Sequence, residues 1–229
     1  MTKPTKPTSN SFLSTIFKER HYRLLAAFLA FWIPAIIFAK LAGEVHEKEP
    51  IAFDAPILLW IHAQSNQFLD TFFLIVTTLG NAEVILPLTL AIIGYFIYKR
   101  KKRDAVTLLF IFGGAALANF LLKSLFQRDR PTFWDSIITE TSYSFPSGHA
   151  MMSAALAFGV IYVLWNTKWR NLSIVIGGLF VLLVGLSRLY FGVHYPTDIL
   201  AGWIVSFLWV LVVVIVSSKS SRFIHKRGS

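Results

Sequence analysis

The chain has 229 residues, 55% of them hydrophobic and only 15% charged, where soluble domains carry about 25% charged residues. A soluble domain of this length has too much surface to hide so much apolar side chain, and 21 Phe with 7 Trp exclude disorder. The absence of cysteine excludes disulfides, thiolate metal sites and a cysteine nucleophile. The net charge of +10 reads as the marking of cytoplasmic loops in a membrane protein, not as a nucleic-acid surface.

Six apolar stretches approach the roughly 17–25 helical residues needed to cross about 30 Å of hydrocarbon. They cover residues 24–42, 84–98, 105–122, 150–165, 172–189 and 199–216. The second is short by itself. An apolar run over 72–79 precedes it across Gly80-Asn81, which predicts a kinked or two-part helix. Residues 1–10, rich in Pro, Thr and Lys, and 217–229 read as loose tails. No signal-peptide cleavage pattern precedes the first span, and no internal repeat is present. The fold class expected is all-α, a six-transmembrane-helix bundle forming one membrane-embedded domain over residues 1–229. Residues 1–20 and 218–229 are its cytoplasmic tails, and its chemical motifs fall within 123–198.

Topology follows from where the basic residues sit. With the N-terminus inside, sixteen of the 22 Lys and Arg fall on the cytoplasmic side. They occupy the two tails, the run Lys99, Arg100, Lys101, Lys102 and Arg103, and the pair Lys168 and Arg170. Ten of the 12 acids fall toward the other side. The positive-inside rule therefore puts both termini in the cytoplasm of a multi-pass cell-membrane protein. Lys123, Arg128, Arg130 and Arg188 run against the rule, at the outer ends of the third and fifth spans. Ionisable residues in such places call for a functional explanation.

Three segments share that outer side: Lys123 through Arg130-Pro131, then Phe145-Pro146-Ser147-Gly148-His149, then Ser187-Arg188 through His194 and Asp198. A hairpin bundle brings them to one face. Ser147 reads as the N-cap of the fourth span. The free N–H groups and positive end of that helix make an anion site, and Gly148 lets an anion approach the backbone closely. Lys123 and Arg130 are two helical turns apart, although Pro131 places Arg130 where the helix unwinds. Arg188 adds a third cation whose planar fork suits phosphate oxygens. Three cations with helix-end donors suit a dianion. Pro196 suits the first turn of the sixth span, so His194 lies just before that helix and Asp198 within it. A carboxylate four residues on can hold one imidazole nitrogen as N–H and leave the other free to attack. His149 is then the available general acid for a leaving alkoxide.

The pattern Lys-x6-Arg-Pro, Pro-Ser-Gly-His, Ser-Arg-x5-His-x3-Asp closely resembles the type 2 phosphatidic acid phosphatase superfamily, which also includes soluble acid phosphatases and vanadium haloperoxidases. All three blocks match in order, and the resemblance covers about residues 69–216. The six spans point to its bacterial membrane lipid phosphatases. The resemblance implies that Lys123, Arg130 and Arg188 bind phosphate with Ser147 and the Gly148 amide. It implies that His194 becomes a phosphohistidine, oriented by Asp198, and that His149 protonates the leaving oxygen and then activates water. It implies neither a metal nor a cofactor, and no carboxylate cluster has ligand spacing.

Other residues carry plainer expectations. Ser187 reads as a phosphate contact before a capping or packing residue. Arg128 and Asp129 read as a solvated loop pair or headgroup contact, and Glu83 as a residue near the outer surface beside the kink. His21, His46, His62 and His225 are scattered and read as surface residues. Gly113-Gly114 and Gly177-Gly178 read as close helix contacts. Trp32, Trp60, Trp134, Trp165, Trp169 and Trp203 read as interfacial belts. The run Lys99 to Arg103 reads as a topology determinant before a site for anionic headgroups.

The chain is therefore expected to be a metal-independent membrane phosphatase with an extracytoplasmic site. Its substrate is a lipid phosphate or diphosphate, such as phosphatidylglycerophosphate, phosphatidic acid or undecaprenyl diphosphate. Its partners are that substrate and membrane lipids, with no nucleic acid and no obligate protein partner implied. Transfer of the phosphoryl group to another hydroxyl is the chemical alternative. A transporter or channel is the alternative from another class, although its charges should run along the spans instead of gathering at one end.

Overall fold

The computed structural model describes residues 9–227, which form eight helices and no strand among the described residues. In chain order these are α1 (Ser9–His46), α2 (Asp54–His62), α3 (Gln67–Leu79), α4 (Ala82–Tyr98), α5 (Lys102–Phe126), α6 (Gly148–Leu164), α7 (Arg170–Tyr190) and α8 (Pro196–Arg227). Large apolar side chains face outward all round the bundle, among them Phe28, Ile36, Leu86, Phe120, Val175 and Leu179. An outward surface of that kind is tolerable in lipid and not in water.

Four helical segments are long and apolar enough to cross a membrane: Leu24–His46, Lys102–Phe126, Arg170–Tyr190 and Pro196–Ser217. Helices α3 and α4 make a fifth, bent by 43° at Gly80-Asn81. This is the two-part helix expected there, starting five residues earlier than the apolar run indicated. The remaining expected span is α6, whose 17 residues give roughly 26 Å of helix. By length and composition the count thus stops at five, and six spans are reached only by including α6.

The structure departs from the sequence reading at the C-terminal tail and at one internal helix. Helix α8 continues to Arg227 through most of the stretch read as a loose tail, since no Gly or Pro stops it before Gly228. Residues 1–8 and 228–229 of the expected tails lie outside the described residues. Helix α2 was not foreseen, because its nine residues are too few to register as a span. It carries a start signal nonetheless, with Asp54 in its first turn and Pro56 just after.

Helix α6 is the hub, packed against α5, α7 and α8. Its small residues Ala150, Ala154, Ala155 and Ala157 are buried and let neighbouring backbones come close. The glycine pairs divide on this point. Gly114 seats the ring of Trp209 and Gly177 faces Ala157, while Gly113 and Gly178 face open space. The tryptophans divide too. Trp32, Trp60, Trp165 and Trp169 are exposed, as an interfacial belt requires. Trp203 packs on Gly185, and Trp134 packs on Gly192 and lies flat on His62 with ring centroids 4.0 Å apart. Those two are packing residues. At one end of the bundle the C-terminal ends of α5 and α7 meet the N-terminal ends of α6 and α8, with α2 and the α3–α4 break alongside.

Candidate active site

Helix α5 ends at Phe126, and the left-handed Gln127 (φ 45°) turns the chain sharply after it. Lys123 thus stands in the last turn, while Arg128 and Arg130 lie beyond the helix. Lys123 and Arg130 still converge, because the Ser142 hydroxyl accepts from both, at 3.1 and 3.2 Å. Arg188, in the last turn of α7, is 1% exposed. One of its nitrogens donates to Thr77 of α3 at 2.6 Å, and another to the Glu140 carboxylate. Arg130 is 3.5 Å from the other Glu140 oxygen. The three expected cations therefore gather in one place.

Ser147 caps α6 as expected, its hydroxyl accepting from the Ala150 amide at 3.4 Å. Its own amide donates to the Asp198 carbonyl at 3.1 Å and ties the starts of α6 and α8 together. The first N–H groups of α6, those of Gly148 and His149 among them, have no partner within the helix. Asn119 of α5 donates to the Pro146 carbonyl at 3.2 Å and holds this turn from behind. Ser187 is a packing residue instead of the phosphate contact expected of it, fully buried and donating back to the Val184 carbonyl at 2.7 Å.

His194 sits in the short turn between α7 and α8, 1% exposed. Its Nδ1 is 3.3 Å from an Asp198 oxygen, and its Nε2 is 3.2 Å from an Arg130 nitrogen. Arginine can only donate. Nε2 therefore carries the lone pair and Nδ1 the proton, the tautomer an attacking imidazole needs. Burial pushes the His194 pKa down to about 3, although Asp198 pulls the other way, so the ring is neutral at pH 7.

The Asp198 carboxylate is held more firmly than the sequence indicated. It accepts from the Tyr195 amide at 2.8 Å and from the Ser144 hydroxyl. Its other oxygen accepts from Arg128 at 2.6 Å. Arg128 is thus neither the solvated loop residue nor the headgroup contact that its sequence context suggests. Its second nitrogen pairs with Asp54 of α2 at 2.8 Å, and its guanidinium lies 4.0 Å over the Tyr195 ring. Burial works against its charge, but Asp198 and Asp54 outweigh that and raise its pKa. Asp54 also accepts from the Thr197 amide at 3.0 Å and hydroxyl at 2.7 Å, capping α8 from another helix. One available signal was Arg128 itself, a charge at a span end where the positive-inside reading expects few basic residues. Its partner Asp54 is 74 residues away, and no local pattern links the two.

His149, in the first turn of α6, pairs through Nε2 with the Asn81 side-chain oxygen at 2.8 Å. Asn81 is at the α3–α4 break, and Gly80 beside it leaves the room that the His149 ring takes, since a methyl there would lie 3.2 Å from the ring. Glu83 is exposed beside this break, as expected, and accepts from Asn81 at 3.4 Å.

His149, His194, Lys123 and Arg130 line one end of a cavity of about 490 Å³. Away from them it runs between α4, α5 and α6 past Ile85, Leu90, Ile93, Leu109, Phe112 and Met152. From Ala82 to Ile93 its wall follows α4 for roughly 17 Å. The cavity is polar at the histidines and apolar below them.

Comparison with known proteins adds a family and its members. The PAP2 superfamily model matches residues 104–222. The chain is 32% identical over 196 residues to phosphatidylglycerophosphatase B of Bacillus subtilis, covering 83% of this chain and 96% of that one. It is 29% identical over 202 residues to an undecaprenyl-diphosphatase of Sulfolobus acidocaldarius, covering 84% and 92%. The crystal structure of a transmembrane PAP2-type phosphatidylglycerolphosphate phosphatase from Bacillus subtilis superposes with a TM-score of 0.76 at 30% identity, covering 83% and 97%.

Proposed function

Because the chain belongs to the PAP2 superfamily, we propose that it is a multi-pass membrane lipid phosphatase cleaving a phosphate or diphosphate from a lipid. The observation that carries this reading is the single cavity joining the two histidines to an apolar groove. A phosphoryl headgroup fits its charged end and a hydrocarbon chain its other end. The candidate substrates are phosphatidylglycerophosphate, phosphatidic acid and undecaprenyl diphosphate. The first and last are what the relatives named above act on.

In this reading His194 Nε2 attacks phosphorus, with Asp198 accepting the Nδ1 proton's hydrogen bond and keeping the lone pair in line. Lys123, Arg130 and Arg188 neutralise the phosphoryl oxygens with the Gly148 amide, and Ser147 holds the helix start that presents it. His149 gives a proton to the departing oxygen, which closes the first step as phosphohistidine and a free alcohol from a lipid monophosphate, or a lipid monophosphate from a diphosphate. His149 then takes a proton from water, whose oxygen attacks phosphorus and returns His194 with inorganic phosphate. In this reading the three cations carry the charge of the phosphoryl group.

The chain acts as one membrane-embedded unit with six spans, both termini in the cytoplasm and the cavity mouth outside. The basic asymmetry of the loops supports that orientation. Phosphate release from each candidate lipid by purified protein, with chelator present, tests the activity. His194→Ala should abolish both turnover and trapping of labelled phosphate, and full activity in that variant removes the mechanism. The protein has no cysteine of its own, so the exposed positions Ile137 and Lys168 can each carry a single reporter thiol. An impermeant reagent applied to intact cells should label Ile137→Cys and spare Lys168→Cys. The reverse pattern inverts the topology.

A further inference from the structure

The three cations assigned to phosphate are already answered by one short stretch of chain. Glu140 takes Arg188 through one oxygen and faces Arg130 at 3.5 Å through the other. Ser142 accepts from Arg130 at its backbone carbonyl (2.8 Å) and from Lys123 and Arg130 at its hydroxyl. The Tyr143 carbonyl accepts from Lys123, and from Arg130 at 3.4 Å. These residues belong to the irregular connection between α5 and α6, so they can leave the cations without breaking a helix. Ser142 and Tyr143 are exposed and Glu140 is half-buried at the cavity wall.

Resting on the lipid-phosphatase reading, we propose that Glu140, with Ser142 and Tyr143, is an internal stand-in for phosphate. It occupies the cations in the free enzyme, is displaced by the phosphoryl group of a lipid, and returns to displace inorganic phosphate. Glu140 thereby sets the threshold for which anions bind.

Arg188 is 1% exposed. A buried cation without a counter-charge is costly, and Arg130 beside it adds repulsion. A carboxylate within the protein relieves both when no substrate is bound. It does so incompletely, because Nε of Arg188 is buried and has no hydrogen-bond partner among the described residues. A phosphoryl group has three terminal oxygens and up to two charges, so it can engage Nε and Nη2 of Arg188 together and still reach Arg130. The Thr77 contact of Arg188 stays in place throughout. A lipid phosphate adds to this the burial of its chain in the apolar groove. Inorganic phosphate has no chain, and Glu140 competes with it on nearly equal terms. The product therefore does not linger on a site built of three cations.

The test is the affinity for inorganic phosphate, read without turnover as phosphate-dependent thermal stabilisation of the detergent-purified full chain. It is read again as the inhibition constant for phosphate against lipid hydrolysis. Glu140→Gln keeps the shape and removes the charge. Glu140→Asp keeps the charge and draws it back by one methylene, and it serves alone should the Gln variant fail to fold. Without phosphate the Gln variant should melt lower than wild type, its cations being uncompensated. Its phosphate affinity should rise by about tenfold or more, with Glu140→Asp between it and wild type. Wild-type affinity equal to or tighter than that of either variant overturns the proposal and makes Glu140 a residue that shapes the phosphate site. The two readings fail separately. A protein that releases no phosphate from any lipid yet shows this order of affinities loses the lipid-phosphatase reading alone. One that hydrolyses lipid phosphates without this order loses the stand-in.

Discussion

Two serines separated by one residue mark two differently built halves of the pocket. Ser144 is fully buried and donates to the Asp198 carboxylate. Ser142 is exposed and accepts from Lys123 and Arg130. Around His194 the polar groups are buried or half-buried and firmly held: Asp198 on α8, Asp54 on α2, and the half-buried Arg128 between these two carboxylates. Around the proposed phosphate cations the acceptors Glu140, Ser142 and Tyr143 come from a surface connection and can be exchanged, while Thr77 and the Val193 carbonyl stay in place. Catalysis by alignment tolerates little movement in an attacking group, so that half is fixed. A ligand site must give up its own partners when the ligand arrives, so that half is replaceable.

Removing Arg128 should break the fixed half most severely. Arg128→Met leaves Asp54 and Asp198, both buried, without their shared counter-charge. Unpairing a buried ion pair costs about 3–5 kcal/mol. A fall in thermal stability of that size should accompany a loss in kcat of about a hundredfold or more on any lipid phosphate. A stability loss under about 1 kcal/mol would erase the distinction between the halves. Asp54→Asn is milder, because the amide oxygen can still accept from Thr197 while the charge facing Arg128 is gone. The expected cost is about 1–3 kcal/mol, with kcat reduced about tenfold. KM should barely move, since Asp54 touches none of the phosphate cations. A rise in KM at constant kcat would place Asp54 with the binding half instead.

What could be read from the sequence follows the same division. The three cations, both histidines, Asp198 and the Ser147 cap announce themselves by residue type, spacing and their place at span ends. The α3–α4 bend shows in Gly80-Asn81. Arg128, Asp54, Thr197 and Asn81 act through partners distant in sequence, and composition or periodicity carries no trace of such pairings. Glu140 stands in a connection without periodicity, where a lone acid reads as solvated. The sequence marked the residues proposed to face the phosphoryl group, and the structure added what holds them.

Asn81 tests the second histidine. Asn81→Ala removes the acceptor 2.8 Å from His149 Nε2 and frees the ring to turn. Loss of one hydrogen bond of about 1 kcal/mol predicts a fall in kcat/KM of up to about tenfold on a lipid monophosphate, whose departing alkoxide needs a proton. A diphosphate expels phosphate, which leaves without one, and should lose less. The ratio of the two losses is the observable. Equal losses would mean that Asn81 supports the bend and not the acid.

The smallest effect comes from protons on the fixed half. Burial holds the folded-state pKa of His194 down to about 3, against an ordinary 6.5. As pH falls from 6.5 toward 3 the unfolded chain takes up a proton that the folded protein refuses. Stability is therefore complete above pH 6.5 and declines through that window. At one proton and 1.36 kcal/mol per pH unit, the loss from pH 7.5 to 5.5 amounts to about 1 kcal/mol, or a few degrees in melting temperature. His194→Gln has nothing to titrate there, so its melting temperature should fall less over the same interval. Comparing the two slopes cancels the other titrating groups, which both proteins share. Parallel slopes would mean that His194 is not held neutral by burial, and the fixed half would lose the feature that keeps its nucleophile ready at acidic pH.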